Sequence, residues 1–255
     1  MTQTCAMGIV NALAATNPGD LTAFDDYYVA QRSKLLKDFD ENRKRGKRIL
    51  ASHYGDLADA IWSEAYREYQ DLIPKIPYIG GKKNIIETYL IQSTWALALF
   101  RALKNHAKSA EETGSICYEM VEAQLNSYPG LLRNLVGRWY LSRFRSDMER
   151  GATESQRRLY PENSLWRFVQ GDGKEFDFGM DMTECAICKF FHAQGADELT
   201  PYMCLTDFAV SKALGMGLIR TTTIAEGGVK CDFRYKHGRE TIQSGPSKSL
   251  VPNHT

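Results

Sequence analysis

Hydrophobic residues recur every three or four positions along the first 160 residues, which is the spacing of helices that bury one face. The most apolar of these segments is interrupted by Glu87, Gln92 and Arg101, so we expect a buried helix there and not a membrane span. We therefore predict a helical region over residues 1–160. The predicted helices lie at about 28–39, 57–69, 84–107 and 116–125, with a fifth opened by the turn Tyr128-Pro129-Gly130.

The spacing shortens to two after Tyr160, which is typical of half-buried strands. Residues 165–169 and 176–180 alternate on either side of Gly171-Asp172-Gly173 and predict a β-hairpin. The pattern then predicts a helix of 184–194 capped by Thr183, a helix from Thr200 to Gly215, and strands at 218–225 and 230–236.

This order of elements predicts an α+β fold: a helical N-terminal part, then an antiparallel sheet of about four strands packed with two helices. The sheet region spans 161–236, and the polar residues 237–255 are expected to form a flexible tail. Whether the two regions share one domain stays open.

Composition and charge exclude several classes of function. The net charge of +1 argues against a nucleic-acid partner, and 43% hydrophobic with 25% charged residues is ordinary for a soluble globular protein. Six cysteines are too few for a secreted disulfide scaffold of this length, so we expect reduced thiols and a cytoplasmic location. The first 20 residues lack the positive charge of a signal peptide and are interpreted as a loose or helical leader. We expect a small-molecule partner and no membrane partner, and leave a homodimer open.

The candidate chemistry lies in the cysteine-bearing stretch from Met180 to Tyr235. Cys185 falls near the start of a predicted helix, where the helix dipole favours a thiolate, although a small buried cysteine is the simpler alternative. Cys204 and Asp207 are three apart and share a helix face. A carboxylate raises a neighbouring thiol's pKa unless a cation intervenes, so Asp207 is better suited as a general base or an amidine ligand.

Strand alternation predicts that Cys231 and Phe233 face the core while Asp232 faces the other way. The preceding Gly227 and Gly228 are turn residues first, and their amides are a speculative oxyanion site.

Three motifs in this stretch resemble the closing part of the L-2-amino-thiazoline-4-carboxylic acid hydrolase family. They are Thr183-Glu184-Cys185, Cys204-x-x-Asp207 and Gly227-Gly228-x-x-Cys231-Asp232-Phe233. The resemblance implies a small-molecule hydrolase of secondary metabolism that opens a cyclic C=N substrate, an amidine or thiazoline.

On this basis we predict catalytic roles for Cys204, Asp207 and Cys185, with either cysteine as nucleophile. The predicted substrate-binding residues are Arg220, Cys231, Asp232, Glu184 and Thr223, with Arg220 as the partner of a substrate carboxylate.

Several alternatives stay open beside this hypothesis. No cofactor is expected; a zinc site of Cys185, Cys188, His192, Cys204 and Cys231 is the minor alternative, because a Cys-x-x-Cys pair on a helix is unlike a zinc knuckle. A Cys–His dyad would need one of the remote histidines His53, His106, His192 or His237. The aromatic residues of the stretch also suit an apolar pocket for a non-hydrolytic cyclase, isomerase or pericyclase of natural-product biosynthesis. The last alternative is a non-enzymatic ligand-binding module whose cysteines belong to the core.

Overall fold

The computed structural model describes residues 26–127 and 130–243, and the side chains from residue 136 onward in the second range. The predicted leader, the Tyr128-Pro129 turn and the tail beyond Gln243 lie outside these residues. The helices before the sheet are α1 (Tyr27–Ala30), α2 (Arg32–Tyr54), α3 (Leu57–Leu72), α4 (Ile86–Asn105), α5 (Ala110–Asn126) and α6 (Gly130–Ser155). The elements that follow are β1 (Leu165–Gln170), β2 (Phe178–Glu184), α7 (Ala186–Ala193), α8 (Thr200–Met203), α9 (Thr206–Leu214) and β3 (Cys231–Tyr235).

The helical N-terminal part is confirmed, and its helices form where the apolar spacing places them. The inward face of α3 buries Ile61, Ala65 and Tyr69 at one-turn spacing. Helix α5 begins with a capping box, in which Ser109 accepts from the Glu112 amide while the Glu112 carboxylate accepts from the Ser109 amide. Local capping and one apolar face per helix thus fix this layer.

The strands form one antiparallel sheet in the order β1-β2-β3. The predicted hairpin of β1 and β2 is confirmed, and the Gly173 amide closes its turn by donating to the Phe176 carbonyl at 3.0 Å. Strand β3 alternates as predicted, with Cys231, Phe233 and Tyr235 buried on one face.

The sheet has three strands within residues 26–127 and 130–243, where about four were predicted, because 218–225 does not form a full strand. Ile219 makes only isolated bridges, to Arg234 and to Ile242. The amides of Thr221 and Thr222 donate to the Asp232 carboxylate at 2.8 Å. They are therefore not available for hydrogen bonds to a neighbouring strand. A short 3-10 turn, Ile224–Glu226, follows.

The start of α7 also differs from the prediction. Strand β2 continues through Glu184, which pairs with Leu165 of β1, so Thr183 is a strand residue and not the N-cap. Cys185, with extended backbone angles, is the N-cap instead of lying within the first turn. The alternation of β2 overrides the local preference of threonine for a cap.

The predicted helix from Thr200 to Gly215 is in fact two helices, α8 and α9, and Cys204 is the C-cap of α8. The Cys204 carbonyl accepts a hydrogen bond from Arg220 at 2.8 Å, and the Thr206 hydroxyl donates to the Met203 carbonyl at 2.7 Å. These two bonds occupy carbonyls at the break in the helical ladder.

Buried residues of the helical part and of the sheet part form one continuous hydrophobic cluster. Helix α6 covers the inner face of the sheet, where the Trp166 indole donates to the Met148 carbonyl at 3.0 Å. Helix α9 approaches α6 so closely that a Cβ on Gly137 would lie 2.1 Å from the Leu214 carbonyl oxygen. The described part of the tail contacts this assembly, because Thr241 hydrogen-bonds Ser211 at 2.7 Å. None of the described helices has the length and apolar character needed to cross a membrane.

Candidate functional site

A recessed ion pair between Asp207 and Arg220 lies at the centre of the candidate site. Arg220 Nη1 donates to Asp207 Oδ2 at 2.6 Å, and its Nη2 donates to the Cys204 carbonyl oxygen at 2.8 Å. The Arg220 side chain is 3% exposed, and its guanidinium lies between the rings of Phe208 and Phe233, 4.8 and 5.0 Å from their centres. Arg220 is therefore held rigidly and fixes the position of the carboxylate.

Asp207 is desolvated and yet reachable from solvent. Burial raises the pKa of this carboxyl above its usual value, and the charge and hydrogen bond of Arg220 only partly reverse that rise. The side chain nevertheless keeps 42% of its surface exposed. A carboxyl that solvent touches but protein surrounds is typical of a recess, where a ligand would meet it. Its raised pKa makes this carboxyl a better proton donor than an ordinary aspartate would be.

Among the thiols of the site, Cys185 has the lowest pKa and ionises most readily. Hydrogen bonding from the Cys188 thiol lowers the pKa of Cys185 below the usual thiol value; burial opposes this, and the amides of Cys188 and Ile187 reinforce it. The side chain does not complete a full capping hydrogen bond at the start of α7. Cys185 is half-buried, and the charge of Asp207, the weakest of these influences, raises its pKa. It therefore lies within electrostatic range of the ion pair.

The other two predicted cysteines are near but remain protonated. Burial raises the pKa of Cys204 well above its usual value, because Arg220 lowers it less than burial raises it. Burial likewise raises the pKa of Cys231 to about 11, although the Ile224 amide donates to its sulfur at 3.2 Å. The Asp207 charge reaches both thiols. The structure thus brings Cys185, Cys204, Cys231, Asp207 and Arg220 together, and distinguishes Cys185 from the other thiols.

Three tyrosines join this cluster; of these the sequence marked only Tyr235, as one of the aromatic residues suited to an apolar pocket. Tyr235 is 4% exposed, and burial together with the Asp207 charge raises its pKa well above the usual value. The hydroxyls of Tyr89 and Tyr140 lie 3.2 Å apart, and the Asp207 charge also reaches Tyr89. Tyr235 could have been inferred from its alternation with Cys231, whereas Tyr89 and Tyr140 come from helices α4 and α6, whose pairing no local pattern reveals.

Three predicted substrate-binding residues have other partners. Glu184 pairs with Lys189 at 2.5 Å and Arg158 at 2.9 Å, beside a shallow depression away from the ion pair. Asp232 lies on the outer face of β3 and holds the Thr221-Thr222 backbone. Thr223 caps the 3-10 turn by accepting from the Glu226 amide at 3.2 Å.

The Gly-Gly motif serves the turn. The amides of Gly227 and Gly228 already donate to the carbonyls of Ile224 and Thr223, at 3.0 and 2.9 Å, so the suggested oxyanion role for them is wrong. Any side chain on Gly228 would meet the Thr222 hydroxyl 2.0 Å from its Cβ, which explains the need for glycine there.

Three of the four histidines of the dyad alternative have partners outside this cluster. His53 pairs with Glu119, His106 with Glu64 and His192 with Asp197, at 2.9 to 3.0 Å. In the part of the chain that the structure describes, no three His, Cys, Asp or Glu side chains are arranged to hold a metal ion.

The aromatic side chains of the site stretch mostly fill the core. Those at or below 7% exposure are Phe178, Phe190, Phe191, Phe208, Phe233 and Tyr235. They support the walls behind the recess and contribute little open surface to it.

Comparison with known protein families shows where the chain belongs. The family model described as L-2-amino-thiazoline-4-carboxylic acid hydrolase matches residues 84–235. This range extends from the start of α4 to the end of β3 and contains every residue of the recessed cluster. No curated protein and no solved structure matches the chain significantly.

Proposed function

Because the chain belongs to the L-2-amino-thiazoline-4-carboxylic acid hydrolase family, we propose that it hydrolyses a small cyclic amidine or thiazoline at the recess around Asp207. The observation that carries the proposal is that one ionisable thiol, Cys185, lies within electrostatic range of Asp207, a carboxyl whose pKa is raised. Nucleophilic opening of a C=N bond requires those two groups, an electron-pair donor and a proton donor.

Cys185 is the proposed nucleophile. Its thiolate forms a bond to the amidine-like carbon, and the π electrons of the C=N bond move to the ring nitrogen. Cys204 and Cys231 are less suited to this step because burial keeps their thiols protonated at neutral pH. The structure therefore favours Cys185 over Cys204, between which the sequence could not choose.

Asp207 is the proposed proton carrier. In its protonated form it donates to the ring nitrogen as the carbon is attacked, which leaves a carboxylate beside Arg220. That carboxylate then accepts a proton from the water that displaces Cys185 from the carbon. Before the water attacks, the bond between that carbon and the second ring heteroatom breaks; the heteroatom leaves with the bonding electrons and later takes the remaining proton of the water. One water is consumed, the Cys185 thiolate and the protonated Asp207 are restored, and the product is released with its ring open.

Arg220 is proposed as a positioning residue for Asp207 and not as the ligand of a substrate carboxylate. Both of its terminal nitrogens already donate to protein oxygens, and its side chain is 3% exposed. A guanidinium that is hydrogen-bonded in this way orients the Asp207 carboxyl and stabilises the negative charge that forms on it.

The direct test uses 2-aminothiazoline-4-carboxylate and its simpler cyclic amidine analogues, with the intact protein, and measures substrate loss by chromatography. We expect turnover, and we expect Cys185→Ala to lower kcat/KM by at least about a thousandfold, as removal of a nucleophile does. The matched control is Cys117→Ala, since Cys117 is buried in α5. The proposal fails if no such substrate is opened with or without added divalent metal.

A covalent adduct separates this mechanism from a shape-driven cyclisation on the same fold. Mass spectrometry of rapidly quenched enzyme should show the substrate-derived group on Cys185. Turnover of the substrate by Cys185→Ala at the wild-type rate would instead favour direct attack by water or a reaction without a nucleophile.

A further inference from the structure

A second feature of the α7 start concerns two cysteines and not one. Cys185 is the N-cap of α7, and Cys188 is the third residue of this eight-residue helix. Residues three apart at a helix start have Cα atoms about 5 Å apart. This separation lies inside the span of about 4.4–6.8 Å that a disulfide bridges. The backbone therefore permits a bond between the two sulfurs without unwinding the helix.

The two thiols differ in the way that thiol–disulfide exchange requires. Cys185 ionises more readily than an ordinary thiol because the Cys188 side chain and the first amides of α7 support its thiolate. Hydrogen bonding to Cys185 and burial keep the Cys188 thiol protonated. Both side chains are half-buried, and both are free thiols in this structure. The helix start thus holds an attacking thiol, Cys185, next to a resolving thiol, Cys188.

We propose that Cys185 and Cys188 form a reversible disulfide by exchange with a low-molecular-weight disulfide such as oxidised glutathione. The Cys185 thiolate attacks one sulfur of the reagent, forms a mixed disulfide and releases one thiolate. That thiolate takes up the Cys188 proton, and the Cys188 sulfur then attacks Cys185 and releases the second thiol. The protein loses two protons and two electrons, and the reagent gains them as two thiols.

Neighbouring cysteines supply the competing outcomes. Cys204 and Cys231 are near enough to raise the pKa of Cys188, so either sulfur is a competing partner for Cys185. They lie on other elements, at the end of α8 and in β3, whereas Cys188 is fixed to Cys185 by one turn of helix. The Cys185–Cys188 bond is the one that closes without movement of one element against another.

The test exposes the full-length protein to oxidised glutathione at neutral pH, blocks the remaining thiols with iodoacetamide, and maps the tryptic peptides without reduction. Residues 175–189 form one tryptic peptide that contains Cys185 and Cys188 and no other cysteine. We expect this peptide to lose both alkylation marks and two hydrogen atoms, and dithiothreitol to restore both marks. Cys188→Ser should stop at the mixed disulfide on Cys185, while Cys117→Ser should behave as the wild type.

The inference is overturned if the wild-type peptide carries a stable glutathione adduct, if Cys185 is bridged to Cys204 or Cys231, or if both thiols stay reduced. The readout is a peptide mass and needs no substrate. The disulfide can therefore fail while the hydrolase proposal stands, and the hydrolase can fail while the disulfide forms.

Discussion

Two aspartate–arginine pairs lie on opposite faces of the same sheet, and their carboxyl groups are shifted in opposite directions. Asp207 meets Arg220 on the inner side, where Arg220 stacks on Phe233 of β3. Asp181 of β2 meets Arg234 at 2.8 Å and Lys230 at 2.6 Å on the outer face. The pKa of Asp207 is raised, while that of Asp181 is lowered.

Exposure alone does not explain this contrast. Asp207 keeps 42% of its side-chain surface open and Asp181 keeps 24%, yet the more exposed carboxyl is the one whose pKa rises. Burial raises both pKa values, but Asp181 has two cations and Asp207 has one cation in a recess walled by protein. The same residue pair thus has a carboxyl with a lowered pKa on one face and, on the other, the carboxyl with a raised pKa that we propose as the proton carrier.

The largest expected difference between the two pairs is in activity. Asp207→Asn should lower kcat/KM by about a hundredfold or more, because an amide cannot transfer the proton. Asp181→Asn should change it less than about threefold, since its carboxylate only holds the outer surface. Steady-state kinetics on both variants measures this, and equal losses would remove the functional distinction between the faces.

Stability should separate the two arginines. Arg220→Met leaves Asp207 without its cation and removes the stacking on Phe208 and Phe233, so we expect a loss of about 3 kcal/mol in the free energy of unfolding. Arg234→Met leaves Asp181 paired with Lys230 and should cost at most about 1 kcal/mol. Urea denaturation of the two variants checks this, and a smaller loss for Arg220→Met than for Arg234→Met would contradict it.

The pH dependence of stability should have opposite signs for the two carboxyls. The lowered pKa of Asp181 stabilises the fold above the unfolded value of about 3.9, and this contribution is lost as pH falls through the folded pKa. The raised pKa of Asp207 means that the folded state holds its proton more tightly, so its contribution declines as pH rises from about 3.9 through the folded pKa.

Denaturation of the wild type, Asp181→Asn and Asp207→Asn across this range isolates each contribution. When the pH is lowered, Asp181→Asn should lose less stability than the wild type. When the pH is raised from about 4, Asp207→Asn should lose less stability than the wild type. Parallel curves for all three proteins would show that neither carboxyl is shifted by folding.

Much of this architecture follows from local pattern. The helix spacing, the hairpin turn at Gly173 and the alternation of β3 depend on neighbours in sequence, and the structure confirms them. The break at Cys204 and the loss of the strand at 218–225 depend on Arg220 and Asp232, side chains that arrive from elsewhere in the chain. No periodicity reports such contacts.

The candidate site was likewise predictable from the sequence only in part. The three motifs marked Cys185, Cys204, Asp207 and Cys231 as candidates, but their relative reactivity depends on burial and on the Asp207–Arg220 pair. The spacing of 13 residues between Asp207 and Arg220 gives no sign of contact. Tyr89 and Tyr140 meet only because the fold brings their hydroxyls, one from α4 and one from α6, to 3.2 Å.

The central claim is that Cys185 is the reactive thiol of this recess, and the rate of its alkylation by iodoacetamide, mapped by peptide and measured against pH, tests it most directly. We expect Cys185 to react first, with a midpoint below the usual thiol pKa of about 8.5. Cys117, whose pKa burial raises to about 12, should react slowly in the folded protein. Faster alkylation of Cys204 or Cys231, or a Cys185 no more reactive than Cys117, would contradict the account.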